Sequence, residues 1–323
     1  MTPDAVRGAR IGVTGATGFV GRRVVAALAR CGARVQAYGR REYASSGDVS
    51  YSSWDIAAGP LPVAPHVDAL VHCAGVVTEW GPRAAFHACH VEGTRHVLAS
   101  FAEPCPVVHV STASVYDPRH PARPLREDAP LPRRQRNAYC ATKADAERIV
   151  AARSRHVILR PHAIYGPGDE LLLPRLLDAT LWGRQLAVGD GCNALSLTHV
   201  DNFVDGVLLA VTTLLRGAEG GVFNIADENP VQLDALLRAV LAAVGRAPRI
   251  LYLPRAPAYA AGALLEGAYA LLGRKRGPRL TRYRVTQIAS DFTLDLTRAR
   301  TLLGYRPTRS VLRFIADGGL RGA

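Results

Sequence analysis

Apolar positions along this chain gather in short runs separated by stretches of helical periodicity. From Arg10 the order reads strand, glycine turn, helix, strand: Arg10 to Thr14, Gly15 to Gly21, an apolar helix to Arg30, then Arg34 to Tyr38, which together make a βαβ unit. Val67 to Cys73 and Val107 to Ser111 are further apolar runs bounded by turn residues, with a helix predicted between them from Arg83 to Phe101. Pro118 to Arg136, rich in proline and arginine, reads as an exposed loop, and a helix follows from about Ala138 to Arg153. Val157 to Leu159 is a buried strand continued by Arg160 and ended by Pro161. Beyond Gly166 the pattern turns mostly helical, while Ser196 to Val200 and Val222 to Ala226 look like short strands returning toward the sheet. Alternation of this kind predicts an α/β fold: a doubly wound parallel sheet over residues 1–166, with returning segments near 196–226, and a smaller, interleaved, mostly helical substrate lobe over 167–323.

Composition narrows the partners. With 323 residues and 48% hydrophobic content, the chain is long enough to bury a large core. The net charge of +13 raises nucleic acid as a partner, yet lysine occurs only at Lys143 and Lys275 and the arginines are spread along the chain. Dispersed arginine without an RNA-binding motif speaks against nucleic acid. Six cysteines without a C-x-x-C pair suit a reducing cytosol, and no signal-peptide pattern precedes the first strand, so the expected location is cytoplasmic. His87, Cys89, His90 and His96 lack metal-ligand spacing and read as helix-surface residues, so no metal is expected. Ala256 to Gly273 is apolar apart from Glu266 and flanked by Arg255, Arg274, Lys275 and Arg276. A packed lobe helix is the leading reading of this segment; a helix at a membrane surface is the alternative.

Three motifs carry chemistry. Thr14-Gly15-Ala16-Thr17-Gly18-Phe19-Val20-Gly21 follows a strand and opens a helix, the context of a dinucleotide-binding turn. Gly15 permits the tight turn, Gly18 the approach of a pyrophosphate, and Gly21 close packing of helix on strand, with the helix N-terminus facing the phosphates. At the end of the second strand, Tyr38-Gly39-Arg40-Arg41 offers arginine where an acid would favour NAD; Glu42 is close by. Arg40 therefore points to NADP, with NAD as the alternative. Tyr139 and Lys143, at i and i+4, share a helix face, and a neighbouring cation favours the phenolate. Ser111-Thr112-Ala113-Ser114-Val115-Tyr116 sits at the C-terminal end of what reads as the fourth sheet strand, where open α/β sheets bind ligands and where a hydroxyl stabilises a reacting oxygen.

These residues together resemble the short-chain dehydrogenase/reductase superfamily, extended type, whose fold is a Rossmann domain. The resemblance covers nearly the whole chain: the glycine turn, Asp55-Ile56, His72-Cys73-Ala74-Gly75, Val91-Glu92-Gly93-Thr94, the hydroxyl turn, Tyr139 with Lys143, and Arg160-Pro161-His162-Ala163-Ile164-Tyr165-Gly166-Pro167-Gly168-Asp169. It implies that Tyr139 is the catalytic acid/base, that Lys143 holds the ribose and lowers the tyrosine pKa, and that Thr112 orients the substrate oxygen, with Ser111 as fallback. It implies further that Gly15, Thr17, Gly18, Phe19, Val20, Gly21 and Cys73, Ala74 and Gly75 line the cofactor, that Asp55 and Ile56 flank the adenine, and that Pro161 lies near the nicotinamide. A homodimer through the 138–153 helix is common in the family.

Thr198-His199-Val200-Asp201-Asn202, Pro278 to Val285 and Ala299 to Pro307 resemble the 3β-hydroxysteroid dehydrogenase branch, which includes 2-alkyl-3-oxoalkanoate reductases. Nucleotide-sugar epimerases and dehydratases are the rival reading. They usually carry Asn where Ala163 stands, and the dehydratases Asp-Glu where Ala113-Ser114 stands. His90 and Asp117 depart from the family's usual Asn and Gly. The resemblance thus implies an NAD(P)-dependent enzyme interconverting a secondary alcohol and a ketone on a small apolar substrate, sterol-like or β-oxo fatty acyl. The apolar stretches Leu171 to Trp182 and Pro254 to Leu272 suit such a ligand.

Overall fold

A computed structural model describes residues 4–41, 43–63, 66–101, 103–120, 124–169, 172–181, 183–247, 249–274 and 276–320. Glu42, Leu171, Trp182 and Lys275 lie outside the described residues.

Six strands, β1 (Arg10–Thr14), β2 (Arg34–Gly39), β3 (Val49–Ser53), β4 (Ala69–His72), β5 (Val107–Val110) and β6 (His156–Pro161), join an edge strand, Gly221–Ile225, in one parallel seven-stranded sheet. The spatial order is Gly221–Ile225, β6, β5, β4, β1, β2, β3. After β3 the chain crosses back to lay β4 beside β1, so the strand order reverses between those two, and a ligand crevice opens outside their carboxyl ends.

The two-residue period of each strand sorts its side chains to opposite layers. Ala69, Val71, Val108, Val157 and Leu159 face a large core completed by Val24 and Leu28 of α1 (Gly21–Arg30), while Leu70, Val107 and Ile158 face a smaller one. The second layer is covered by α2 (Arg83–His87), a π-helical turn (Ala88–Glu92), α3 (Gly93–Ser100) and α4 (Ala138–Ala151). Burial on both faces explains why these strands read as continuous apolar runs.

The chain then builds α5 (Leu172–Asp178), α6 (Val200–Leu215), α7 (Leu233–Ala243), α8 (Arg255–Leu271), α9 (Arg282–Ile288) and α10 (Val311–Ala316). Phe203, Val207 and Val211 of α6 complete the large core beside α1. Short strands Thr180–Leu181, Arg184–Val188 and Ile250–Leu253 form a separate three-stranded sheet.

Several sequence expectations are corrected. β3 has no strong sequence signal, because Val49-Ser50-Tyr51-Ser52-Ser53 is largely polar and lies at the sheet edge; the hydroxyl turn therefore follows the fifth strand, not the fourth. In the 196–200 run only Thr198–His199 is strand, and it pairs with Ile164–Tyr165 rather than with the main sheet. The 83–101 helix is continuous only by way of the π turn. Leu125, within the stretch read as exposed loop, is 1% exposed and bridges to Leu294.

Candidate functional site

Two of the turn's three glycines, Gly15 and Gly21, leave no room for a side chain. Gly15 adopts φ +68°, and a Cβ on it would lie 2.6 Å from the Ala74 amide nitrogen; a Cβ on Gly21 would lie 2.1 Å from the Gly15 carbonyl oxygen. The turn between β1 and α1 thus packs against the Cys73-Ala74-Gly75 segment after β4. Below it, Thr14 Oγ1 and His72 Nδ1 are 2.7 Å apart, tying the ends of β1 and β4 together. Thr17 packs against Gly39, the last residue of β2, and Phe19 lies under the Arg22 and Arg23 guanidiniums, with Val20 at the helix N-cap.

Arg40 is exposed just beyond β2, and its charge is felt at the Cys89 thiol together with those of Asp55 and Lys143. Asp55 caps the turn by accepting from Ala57 N, while the buried Ile56 would meet any Cβ on Gly93 at 2.8 Å. The structure therefore gathers Arg40, Asp55, the glycine turn, Gly75 and Lys143 along one side of the sheet's carboxyl edge. Pro161 ends β6 opposite Ile225. A turn with no space for a Cβ at Gly15 or Gly21, beside a helix N-terminus and a buried lysine, fits a dinucleotide.

Thr112 immediately follows the turn out of β5 and caps the short 3-10 helix Ala113–Val115 by accepting from Ser114 N at 3.1 Å. Its hydroxyl lies beside the Tyr139 phenol, close enough to lower the phenol's pKa. Asn137 caps α4 by accepting from Cys140 N, which sets the first turn of the helix and hence the aim of Tyr139. Burial dominates the tyrosine's electrostatics and raises its pKa, the neighbouring Tyr283 raising it further and the Thr112 contact lowering it. Lys143 is 5% exposed and donates to the Val110 carbonyl at 2.8 Å. Burial lowers its pKa to about 8, against the opposing pull of the Cys89 and Cys73 thiols and Glu147.

Ser111, the fallback hydroxyl, belongs to a different network. It donates to Glu147 at 2.5 Å, and Glu147 is paired bidentately with Arg160, whose Nη1 donates to Tyr116 OH at 2.8 Å; Tyr116 OH in turn donates to Asn224. This buried chain stitches α4 to β5, β6 and the edge strand.

Two groups of residues were not assigned correctly from sequence. His90 is 1% exposed, not a surface residue: Nε2 accepts from Val76 N at 2.9 Å and Nδ1 lies 2.8 Å from Thr142 Oγ1. Accepting at Nε2 leaves the proton on Nδ1, so the ring is neutral and in one tautomer; burial lowers its pKa to about 2. The second group, Ser114 with Tyr283 and Gln287 of α9, carries no local motif beyond the helical spacing of the last two. Tyr283 OH donates to Ser114 Oγ at 3.0 Å, and Gln287 Nε2 donates to Ser114 Oγ at 3.3 Å and to Tyr283 OH at 3.1 Å. Among the described residues, no group of three or more His, Cys, Asp or Glu is arranged to hold a metal ion, and no helix is long and apolar enough to cross a membrane.

Comparison with known proteins shows the family and the fold. The family model for the NAD dependent epimerase/dehydratase family matches residues 11–226. A 2-alkyl-3-oxoalkanoate reductase of Stenotrophomonas maltophilia (strain K279a) is 34% identical over 94% of this chain and 96% of its own length. The decarboxylating sterol-4-alpha-carboxylate 3-dehydrogenase of Saccharomyces cerevisiae (strain ATCC 204508 / S288c) is 32% identical over 74% of this chain and 72% of its own. The solved structure of MoeE5 in complex with UDP-glucuronic acid and NAD has the same fold, with a TM-score of 0.72 at 24% identity over 97% of this chain and 100% of that one. The chain belongs to the NAD dependent epimerase/dehydratase family.

Proposed function

We propose that the protein is an NAD(P)-dependent oxidoreductase that interconverts a secondary alcohol and a ketone on an apolar substrate. The observation that carries this reading is the Thr112 hydroxyl beside the Tyr139 phenol, one helical turn from the buried Lys143, at the carboxyl edge of the sheet. A bound nicotinamide dinucleotide supplies the hydride that goes to the carbonyl carbon. Tyr139 gives its phenolic proton to the carbonyl oxygen, and its raised pKa keeps that proton in place at neutral pH. Thr112 holds the same oxygen and orients the phenol. Lys143, anchored on Val110, holds positive charge beside Gly75, where the ribose of the dinucleotide would lie. In the oxidising direction the roles reverse, Tyr139 receiving the hydroxyl proton.

NADP is the preferred form, supported by Arg40 at the end of β2. Action on an apolar ketone is supported by the names of the relatives and by Ala163 and Ala113-Ser114, which lack the groups that a sugar nucleotide would call for. Contact with a membrane surface through α8 belongs to the same reading and is supported by the side chains this helix leaves in solvent.

Replacing Tyr139 by Phe tests the assignment. The variant is expected to bind NADPH as the wild type does, read by fluorescence titration, while ketone reduction drops by about 10²- to 10⁴-fold. Equal turnover by the two proteins would sink it. An Arg40→Ala variant that keeps the wild-type ratio of NADPH to NADH affinity would remove the argument for NADP.

A further inference from the structure

We propose that the tripeptide Gln135-Arg136-Asn137 sets the separation of Thr112 from Tyr139, and that Gln135 and Arg136 are positioning residues that govern turnover without touching the substrate. The inference rests on the ketone-reduction reading and adds to it the residues that keep the two hydroxyls in register. Thr112 and Tyr139 are 27 positions apart in the chain and belong to different elements, the 3-10 turn after β5 and the first turn of α4. Lys143 and Glu147 tie the body of α4 to the end of β5, through the Val110 carbonyl and the Ser111 hydroxyl, but they reach neither the 3-10 turn nor the first turn of the helix.

The tripeptide reaches both. A helical turn leaves its last carbonyls without donors of its own, and here three successive ones are met from outside. Gln135 Nε2 donates to Val115 O at 2.9 Å, and Arg136 Nη2 donates to Ser114 O at 2.7 Å and to Tyr116 O at 3.2 Å. The turn held in this way is the one whose Ser114 amide donates to Thr112 Oγ1 at 3.1 Å and so restrains the threonine side chain. The next residue, Asn137, accepts from Cys140 N at 2.9 Å and starts the helix that carries Tyr139 two positions on. Three consecutive residues therefore hold the backbones of both hydroxyl-bearing elements, with no slack chain between them. Stability does not explain Arg136. Among the described residues it forms no ion pair: its charge meets two neutral carbonyls and the face of the Tyr283 ring, 5.1 Å from the ring centre. A partly buried guanidinium without a carboxylate is a poor stabiliser, and an apolar side chain would fill the space at a lower desolvation cost. The planar fork supplies direction instead, and a misplacement of about 1 Å between reacting groups is enough to lose about 10²-fold in rate.

The test measures kcat, KM, NADPH affinity and thermal unfolding for Gln135→Leu, Arg136→Leu, Asn137→Ala and Asn137→Ser, with Tyr139→Phe as the reference, on a long-chain methyl ketone and a 3-oxosterol. Gln135→Leu and Arg136→Leu are expected to lower kcat by about 10- to 100-fold while NADPH affinity, the KM of the ketone and the thermal midpoint stay close to those of the wild type. Asn137→Ala is expected to lose turnover in the same way, and Asn137→Ser, which keeps a capping oxygen, to recover most of it. Should Arg136→Leu fail to fold, Gln135→Leu and the two Asn137 variants carry the test by the same criteria. A kcat within about twofold of the wild type in Gln135→Leu and Arg136→Leu overturns the positioning role alone, provided that Tyr139→Phe is inactive. Losses that appear only in KM, or that follow a fall in thermal midpoint and NADPH affinity, overturn it as well. A Tyr139→Phe protein as active as the wild type, or a wild type that binds NADPH yet reduces neither ketone, overturns the ketone-reduction reading and the positioning role with it.

Discussion

His90 shows how one buried side chain shapes the behaviour of the site. Its ring bridges the backbone after β4 to Thr142 of α4, and it does so as a neutral imidazole. His72 is also buried neutral, its pKa lowered to about 3 by burial and then by Lys143, and His109 is lowered well below its ordinary value for the same reasons. The unfolded chain takes up protons on these rings near pH 6.5, whereas the folded protein refuses them. Stability is therefore complete above pH 6.5 and falls as the pH drops below it, by about 2 kcal/mol for each histidine at pH 5. Urea unfolding at pH 7 and pH 5 should show this loss, and His90→Asn should reduce it by about one histidine's share. An unchanged pH dependence in the variant would mean that His90 is protonated in the folded protein. In this position His90 ties the Val76 backbone to Thr142 near the start of α4.

At the scale of elements, α4 is aimed by the network behind it. Glu147 and Arg160 are 5% exposed each, and the carboxylate takes two guanidinium bonds and the Ser111 hydroxyl. Removing one member of a buried pair leaves the other charged and unsolvated. Glu147→Gln is expected to destabilise the protein by about 3–5 kcal/mol in denaturant unfolding, and to lower turnover because Tyr139 lies on the same helix. A loss under about 1 kcal/mol would show that Arg160 finds another partner. The sequence offered both residues but no reason to pair them, since only the sheet brings the end of β6 under α4. Element boundaries tell a similar story: β1, β2 and α4 were legible because their apolar periodicity is uninterrupted, whereas β3 is polar and gains its order from pairing with β2.

Across the whole molecule, α8 stands apart. Of its 17 residues only Ala258 and Gly262 are buried, while Leu264 is 76% and Leu271 91% exposed, as is Leu272 just beyond at 67%. The packed lobe helix expected from sequence is thus packed along one narrow stripe, against α9, with Glu266 turned to Arg282. An apolar outer face between Arg255 and Arg274 suits the surface of an anionic bilayer. Sedimentation with vesicles rich in phosphatidylserine is expected, with clear loss for a Leu264→Glu, Leu271→Glu double variant and at high salt. Identical sedimentation of wild type and variant would remove α8 as the contact.

The sequence by itself determined the local chemistry: a glycine turn between strand and helix, a hydroxyl turn after a strand, and a phenol and an ammonium one helical turn apart. Each depends on residues within a few positions of one another, where backbone geometry leaves little choice. Only the tertiary structure decided which hydroxyl faces Tyr139, that Ser111 belongs to the Glu147–Arg160 network, that His90 is buried, and that Tyr283 and Gln287 reach Ser114 from more than 160 residues away. Those outcomes depend on how distant elements pack across the sheet, and side-chain type and spacing carry no record of that packing.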